Sequence, residues 1–269
     1  MKGGKNALWS DIDMADHFLD KSIEYIKANK SRPFFLFYSL QQPHVPRTPH
    51  PRFEGQSGMG PRGDAIIEAD WSIGELYKTL QSEDLLDNTF IIFSSDNGPV
   101  LNDGYYDDAV EKLGDHTPSG GLRGGKYSLF EAGTRVPFIT YWKGKIKPGV
   151  SNEIISQVDL FNSISVLVGS KYQSIDGNDF SQLLINNKGK GRDELIIEAS
   201  TRTAFRKGDW VMIPPYKGPE VSKNVNIELG NSLNFMLYNL KEDPSQKNNL
   251  SVINEDKLKE MISSFIEIR

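Results

Sequence analysis

The chain has 269 residues, of which 38% are apolar, enough for one large α/β domain or for one domain with a small appendage. Its 31 basic and 36 acidic residues give a net charge of −5, so a surface that wraps nucleic acid is not expected. No apolar run is long enough to cross a bilayer. Because cysteine is absent, disulfides, thiolate metal sites and a cysteine nucleophile are excluded within this sequence.

The first elements in chain order predict a helix followed by a buried strand. Residues 9–29 show helical spacing of apolar side chains, with Ser10 or Asp11 as the cap. Pro33 ends this section, the apolar run 34–38 then predicts a buried strand, and residues 41–47 form a loop held by prolines. The expected inner face of the helix consists of Ala15, Phe18, Leu19, Ile23 and Ile26.

A second helix and strand follow in the same order. Asp64 is expected to cap a helix that runs to Gln81, and the apolar run 90–93 predicts the next buried strand. Two helix–strand crossovers of one polarity predict an α/β fold with a mostly parallel sheet flanked by helices. The expected inner face of this second helix consists of Ile67, Trp71, Gly74, Leu76 and Leu80.

The strand at residues 90–93 stops abruptly at Ser-Ser-Asp-Asn-Gly-Pro, residues 94–99. Ligands of open α/β sheets bind beyond the carboxyl ends of strands, where Asp96 and Asn97 offer oxygen ligands that Ca²⁺ or Mg²⁺ prefers. The same tetrapeptide is also good turn chemistry, so a turn and a metal site are both open on these residues alone.

A glycine-rich segment with two basic residues follows at residues 120–126. Arg123 suits bidentate recognition of a tetrahedral oxyanion, whereas Lys126 acts on it as a compact point charge. The spacing is not that of a Walker loop, and a glycine- and lysine-rich loop alone carries little weight.

Later elements predict a smaller C-terminal subdomain. A strand at 136–142 and a helix at 159–168 complete the core, which we place at residues 1–172. Residues 173–269 then carry β-like stretches at 195–199, 210–213 and 235–238, which predict a small antiparallel sheet. A terminal helix capped by Asn254 follows, and its expected inner face consists of Leu258, Met261, Ile262, Phe265 and Ile266.

The Asp-Asn-Gly-Pro motif and the later Gly-Leu-Arg-Gly-Gly-Lys…Glu-Ala-Gly-Thr-Arg-Val-Pro segment together resemble the sulfatase family, of the wider alkaline-phosphatase-like superfamily. Ala132 stands where the first glycine of the family's Glu-Gly-Gly triplet is usual. The segment Leu-Tyr-Asn-Leu…Asp-Pro…Asn-Leu at 237–250 is similar to the family's C-terminal turn motif, which is architectural.

The resemblance implies a role for each candidate site residue. Asp96 and Asn97 would bind Ca²⁺ or another divalent cation such as Mg²⁺, and Lys126 would hold the sulfate. His44, in the motif Pro-His-x-Pro after a predicted strand, resembles the family's substrate-contacting histidine, although a lone loop histidine is more often structural. Arg123 and His116 are weaker substrate-binding candidates. Glu131 and Arg135 are expected to pair with each other or with backbone and not to touch the substrate.

The resemblance covers only the later part of a sulfatase. No Cys/Ser-x-Pro-x-Arg motif is present, so the formylglycine nucleophile is expected in an N-terminal portion outside this sequence, and the paired aspartates of the family's first strand have no counterpart. The chain is therefore expected to be a truncated or separately expressed portion that is inactive by itself. Its expected partners are a sulfated small molecule or glycan, and the missing N-terminal portion or a second copy.

Two alternative functions stay open at this point. One is a phosphoester or phosphonate hydrolase of the same superfamily, because both chemistries act on a tetrahedral oxyanion. The other is a non-catalytic remnant that binds an anion or a carbohydrate. The family resemblance also implies a periplasmic or secreted location.

Overall fold

A computed structural model describes Gly4 and residues 10–268. The chain divides into two compact units, the first formed by residues 1–89 and 100–116 and the second by residues 90–99 and 117–269. The subdomain boundary expected at residue 172 stays a prediction. No helix in the described part of the chain is long and apolar enough to span a membrane.

The first unit is built on two packed helices. Its helices are α1 (Met14–Asn29) and α2 (Gly60–Ser82). Both predicted caps are wrong: the residue before α1 is Asp13, with no side-chain cap bond, and Asp64 lies inside α2, four residues beyond its start. The Asp64 carboxylate instead accepts hydrogen bonds from the backbone N–H groups of Gly55 and Ser57, so it holds the preceding loop against the helix. The predicted start at Trp9 lies outside the described residues.

The predicted inner faces of these helices are confirmed in part. In α1, Ala15, Leu19 and Ile26 are buried, but Phe18 is exposed. In α2, Leu80 is buried, while polar Glu68 and Ser72 take core positions that an apolar pattern does not reveal. Their oxygens are hydrogen-bonded, because Glu68 accepts from the side chain of Gln42 and Ser72 donates to the Glu68 carbonyl.

The strand predicted at residues 34–38 is wrong as a paired strand. The described residues of the first unit contain no strand, so this run has no ladder partner there. Its side chains still alternate, since Phe35 and Phe37 are exposed while Phe34, Leu36 and Tyr38 are half-buried. The sequence pattern of a strand is therefore present without the backbone pairing that defines one.

All strands in the described part of the chain lie in the second unit, and their pairings are all antiparallel. Strands β1 (Ile91–Ser94) and β2 (Phe138–Tyr141) pair as a two-stranded sheet. The expectation of a mostly parallel sheet is therefore wrong for the described strands, because none of their pairings is parallel. Helix α3 (Asp159–Leu167) confirms the prediction at 159–168, and a short helix α4 (Ser181–Asn186) follows.

The small antiparallel sheet predicted near the C-terminus is confirmed and is larger than expected. Its four strands lie in the order β3-β4-β5-β8, and a separate β6-β7 ribbon accompanies them. The strands are β3 (Glu194–Ala199), β4 (Arg202–Lys207), β5 (Trp210–Ile213), β6 (Val221–Ser222), β7 (Ile227–Glu228) and β8 (Met236–Asn239).

The terminal helix α5 (Glu255–Ile268) packs on one face of that sheet. Met261 and Phe265 are buried against Phe205 and Leu237 of the sheet. Ile266, predicted to face inward, is 69% exposed, because it lies one position beyond the buried stripe of the helix.

Candidate functional site

The loop after β1 carries the Asp-Asn pair in the second unit. Asp96 is exposed and Asn97 is half-buried, and the Asp96 carboxylate accepts a hydrogen bond of 3.0 Å from the Asn97 backbone N–H. The side chain of Gln157 donates to the Ser95 carbonyl at 2.5 Å, which ties the base of the loop to the segment before α3. The pair therefore lies at the end of a strand, as the sequence predicts, on a loop with defined hydrogen bonds.

Two glycines press this loop against the later motif segment. A Cβ on Gly98 would lie 1.6 Å from the Ala132 carbonyl oxygen, and a Cβ on Gly125 would lie 2.5 Å from the Pro99 carbonyl oxygen. Close backbone approach allows two hydrogen bonds, from Gly98 N–H to the Gly133 carbonyl at 2.9 Å and from Lys126 N–H to the Pro99 carbonyl at 3.0 Å. The structure thus brings the two sequence motifs together within one unit.

Lys126 is half-buried on this joined pair of loops. Its ammonium nitrogen lies 5.2 Å from the centre of the Tyr127 ring. Tyr127 has a φ of +75°, a conformation that is strained for a bulky residue and is typical of functional loops. The buried Arg202 donates to the Tyr127 carbonyl at 2.6 Å and so stabilises this conformation, while burial lowers the pKa of Arg202.

Arg123 uses its guanidinium within the chain. It donates to both carboxylate oxygens of Glu228, at 2.6 and 3.0 Å, and to the Gln246 carbonyl at 2.7 Å, and it lies 4.0 Å from the centre of the Phe130 ring. The hydrogen bond to Glu228 raises the pKa of Arg123, and the same bond lowers the pKa of Glu228. This arrangement makes Arg123 an anchor of the loop, and its substrate role stays a prediction.

Gln246 is a supporting residue that sequence reasoning missed. It is fully buried, and its side-chain oxygen accepts a 2.7 Å hydrogen bond from the backbone N–H of Glu131. The C-terminal turn motif therefore holds the loop of Lys126 as well as its own turn. The sequence signal that could have identified Gln246 is its place inside the turn motif at 237–250. Glu131 is confirmed as a partner of Arg135, at 3.6 Å, and also lies 3.5 Å from Arg206.

His44 belongs to the first unit and has a largely exposed ring. Its Nδ1 lies 2.7 Å from the Val45 carbonyl oxygen. Because a carbonyl oxygen only accepts hydrogen bonds, Nδ1 carries the proton of that bond. Nε2 is the ring nitrogen that does not contact the Val45 carbonyl. Nε2 lies 3.9 Å from an oxygen of Asp103, whose side chain is mostly buried. Asp103 was not singled out from the sequence, since an acid-rich stretch usually marks a solvated loop.

Arg47 ties the His44 loop to the segment that carries Asp103. Its side chain is almost fully buried, and it donates to the Pro43 carbonyl, to both oxygens of Asp107 and to the Val100 and Leu101 carbonyls. All of these groups lie within the first unit. One guanidinium therefore fixes the backbone next to His44 and the backbone on both sides of Asp103.

His116 and His50 differ from His44 in their surroundings. His116 is exposed, and its backbone N–H donates to the Leu113 carbonyl. Its auxiliary substrate role stays a prediction. His50 accepts a hydrogen bond from the Arg52 backbone N–H at a short turn, which is a structural role.

The donor set at the Asp-Asn loop suits a hard cation but is incomplete. Asp96 supplies an exposed carboxylate and Asn97 an amide oxygen, the ligand types that Ca²⁺ and Mg²⁺ take. Among residues 10–268 no group of three or more acidic or histidine side chains could hold a metal. Binding of a cation by Asp96 and Asn97 stays a prediction.

Comparisons with known proteins agree with the motifs. Residues 10–170 match the family model of the Sulfatase family. The N-acetylgalactosamine-6-O-sulfatase of Bacteroides thetaiotaomicron is 44% identical over 265 residues, which are 97% of this chain and 52% of that protein. Human arylsulfatase A is 30% identical over 236 residues, 82% of this chain and 45% of that protein.

Solved structures show the same relationship in three dimensions. A Bacteroides thetaiotaomicron protein, described in connection with the metabolism of multiple glycosaminoglycans, superimposes with a TM-score of 0.94 at 42% identity and covers 99% of this chain and 56% of its own. A sulfatase from Pseudoalteromonas superimposes with a TM-score of 0.76 at 26% identity, over 96% of this chain and 52% of its own. The chain thus spans about half the length of the relatives that it matches.

Proposed function

This chain belongs to the sulfatase family, and from that premise we propose that it forms part of an enzyme that hydrolyses sulfate esters. The observation that carries the proposal is the joining of the Asp96–Pro99 loop to the loop of Lys126 by backbone hydrogen bonds. The oxygen atoms of Asp96 and Asn97, which would bind a metal ion, and the ammonium group of Lys126 are thereby held on one rigid support. Recognition of an oxyanion requires groups that are held in place in this way.

In this proposal each residue has a definite task. The Lys126 ammonium attracts the sulfate oxygens and stabilises the negative charge that develops on them during cleavage. His44 hydrogen-bonds an oxygen of the substrate or protonates the leaving group. Asp96 and Asn97 would hold a Ca²⁺ or Mg²⁺ ion, which when bound adds positive charge for the same anion.

The nucleophile is proposed to come from outside this chain. The sequence contains no cysteine and no serine in a Ser-x-Pro-x-Arg motif, so the formylglycine that the family resemblance implies would belong to a further portion of the enzyme. The 269-residue chain alone is accordingly proposed to lack sulfatase activity. A periplasmic or secreted location is proposed from the family resemblance only.

We propose a sugar 6-O-sulfate as the substrate, and specifically a 6-sulfated N-acetylgalactosamine. The support is the 44% identity, over nearly the whole chain, to a protein with that named activity. The phosphoester and phosphonate alternative is less well supported, because both the family match and the named relatives are sulfatases. A non-catalytic remnant stays the second candidate.

Exposed apolar side chains support a polypeptide partner. Phe35 and Phe37 of the unpaired run are 70% and 80% exposed in the first unit, and Ile139 of β2 is 57% exposed in the second. Large exposed apolar residues on strand-like segments favour association. We propose the remainder of a sulfatase as the partner, with self-association when this chain is alone. Sedimentation of the chain at low concentration as a stable monomer would contradict this.

A chimeric enzyme tests the proposed function directly. In it, this chain replaces the matching 265 residues of the Bacteroides relative, which supplies the rest of the enzyme. Sulfate release from 6-sulfated N-acetylgalactosamine is expected, whereas the isolated chain should release none. A folded chimera that hydrolyses neither sulfate nor phosphate esters would favour the non-catalytic alternative. A folded chimera that hydrolyses phosphate esters but releases no sulfate would favour the phosphoesterase.

A further inference from the structure

The backbone on either side of Lys126 is held by hydrogen bonds to two different segments. The Lys126 N–H donates to the Pro99 carbonyl at 3.0 Å, and the carbonyl of the next residue, Tyr127, accepts from Arg202 at 2.6 Å. Between these two bonds lies the φ angle of Tyr127, which is +75°. Rotation of Tyr127 to an ordinary negative φ would therefore break one of the two bonds or turn Lys126 away from its present direction.

Two effects of similar size act on the conformation of Tyr127 with opposite sign. A left-handed backbone conformation is disfavoured for a residue with a side chain, by a factor of roughly 5 to 150. A hydrogen bond from a charged donor is worth a factor of roughly 10 to 150. The bond from Arg202 is therefore strong enough to offset the strain, and its loss would favour the relaxed conformations by the same factor.

Arg202 is held in place by the structure around it. It is 8% exposed on β4, and its guanidinium also donates to the Leu229 carbonyl at 2.8 Å and to Oδ1 of Asn231 at 2.7 Å. Asn231 is itself buried, and its side-chain nitrogen donates to the Pro219 carbonyl at 2.6 Å. The place of the Arg202 guanidinium opposite the Tyr127 carbonyl is therefore fixed by packing and by further hydrogen bonds.

We infer that Arg202 is a positioning residue for Lys126, which it fixes by holding Tyr127 in the left-handed conformation. The effect on turnover rests on the proposed function, in which Lys126 stabilises negative charge on the sulfate, whereas the effect on the loop does not. Because that stabilisation acts in the transition state, a misplaced Lys126 should lower kcat more than it raises KM.

The test compares Arg202→Met in three backgrounds that differ only at residue 127. Tyr127→Gly removes the cost of a positive φ, whereas Tyr127→Ala removes the ring but keeps the Cβ that causes the cost. In the chimera, Arg202→Met should lower kcat roughly 10- to 150-fold when residue 127 is tyrosine or alanine. With glycine at this position the loss should be several-fold smaller, because the left-handed conformation then needs little support.

The matched control is Arg192→Met, which removes a guanidinium that binds Asp159 in the same unit. Any loss that it causes should be the same in all three backgrounds. If Arg202→Met fails to fold, Arg202→Lys replaces it, because an ammonium keeps the charge but lacks the planar geometry that reaches three acceptors. A loss that is equal in the three backgrounds, or no loss, would make Arg202 merely structural and overturn the inference.

Hydrogen exchange separates this inference from the proposed function, because it needs no turnover. In the 269-residue chain, the Lys126 amide should exchange roughly 10- to 150-fold faster in Arg202→Met, with a smaller effect when Tyr127→Gly is also present. An unchanged exchange rate would overturn the inference. The expected exchange without sulfate release by any chimera would overturn the proposed function and leave the hold on the loop standing. Sulfate release with a kcat that Arg202→Met does not change would do the reverse.

Discussion

The close approach of Gly98 to the Ala132 carbonyl makes Gly98→Ala a direct test of the joint between the two motif loops. The new methyl group would lie 1.6 Å from a backbone oxygen, which cannot rotate away as a flexible side chain would. The loops must therefore separate, and the 2.9 Å hydrogen bond from Gly98 to Gly133 is lost or weakened.

The expected cost follows from these two contacts. Overpacking of a tight site costs about 1–3 kcal/mol, and loss of a buried backbone hydrogen bond adds about 0.5–1.5 kcal/mol. We expect the free energy of unfolding of the second unit to fall by about 2–4 kcal/mol and its melting temperature by about 5–15 °C. Separation of the loops should also move Asp96 and Asn97 relative to Lys126.

Thermal unfolding and hydrogen exchange measure the two consequences. The amides of Gly98 and Lys126 donate across the joint, so peptides that contain them should lose protection in Gly98→Ala. The matched control is Gly149→Ala, in the same unit, where the nearest atom to a new Cβ is 3.9 Å away. Gly98→Ala with the stability and exchange of the unaltered chain would refute the proposed joint.

Three further predictions concern the charged groups of the second unit. Lys126→Ala in the chimera should lower kcat for sulfate release by roughly 100- to 1,000-fold, as expected for one oxyanion-stabilising contact; unchanged kinetics would reject its role. Calorimetric titration should show weak Ca²⁺ binding by this chain, because about 6–8 oxygens are normally needed, and Asp96→Ala should abolish it. Tight binding that survives this substitution would rule out the assignment. Glu228→Gln should remove an acid-sensitive part of the stability, since Arg123 holds the pKa of Glu228 below its ordinary 4.5. That contribution is present above about pH 5 and is lost as the pH falls through the folded-state pKa, so the unfolding free energies of the two proteins should converge in acid. A difference that does not change with pH would contradict the ion pair.

Local sequence patterns determined the elements whose signals are contained in a few neighbouring residues. Helix α3, strands β3 and β5, and the buried Met261 and Phe265 of α5 all follow from the periodicity of apolar side chains. The motif around Asp96 and Asn97 was also placed correctly at the end of a strand, because the apolar run and the turn residues are adjacent in sequence.

Strand β4 shows where such patterns fail. Its sequence Arg-Thr-Ala-Phe-Arg-Lys is half basic and indicates no strand, yet Ala204 and Phe205 are fully buried. The strand forms because β3 and β5 pair with it on both sides, which its own residues cannot reveal. In the reverse case, residues 34–38 have the pattern of a strand without a paired neighbour in the described part of the chain.

For the candidate site, the sequence by itself supplied the candidate residues: an Asp-Asn pair after a strand, a lysine on glycine-rich backbone and a histidine between prolines. Only the tertiary structure decided which neighbours act on them. Arg123 is held by Glu228, 105 positions along the chain, Gln246 supports the Lys126 loop, and Asp103 faces His44. These contacts join residues far apart in sequence, so their geometry depends on packing and backbone hydrogen bonds that no local pattern records.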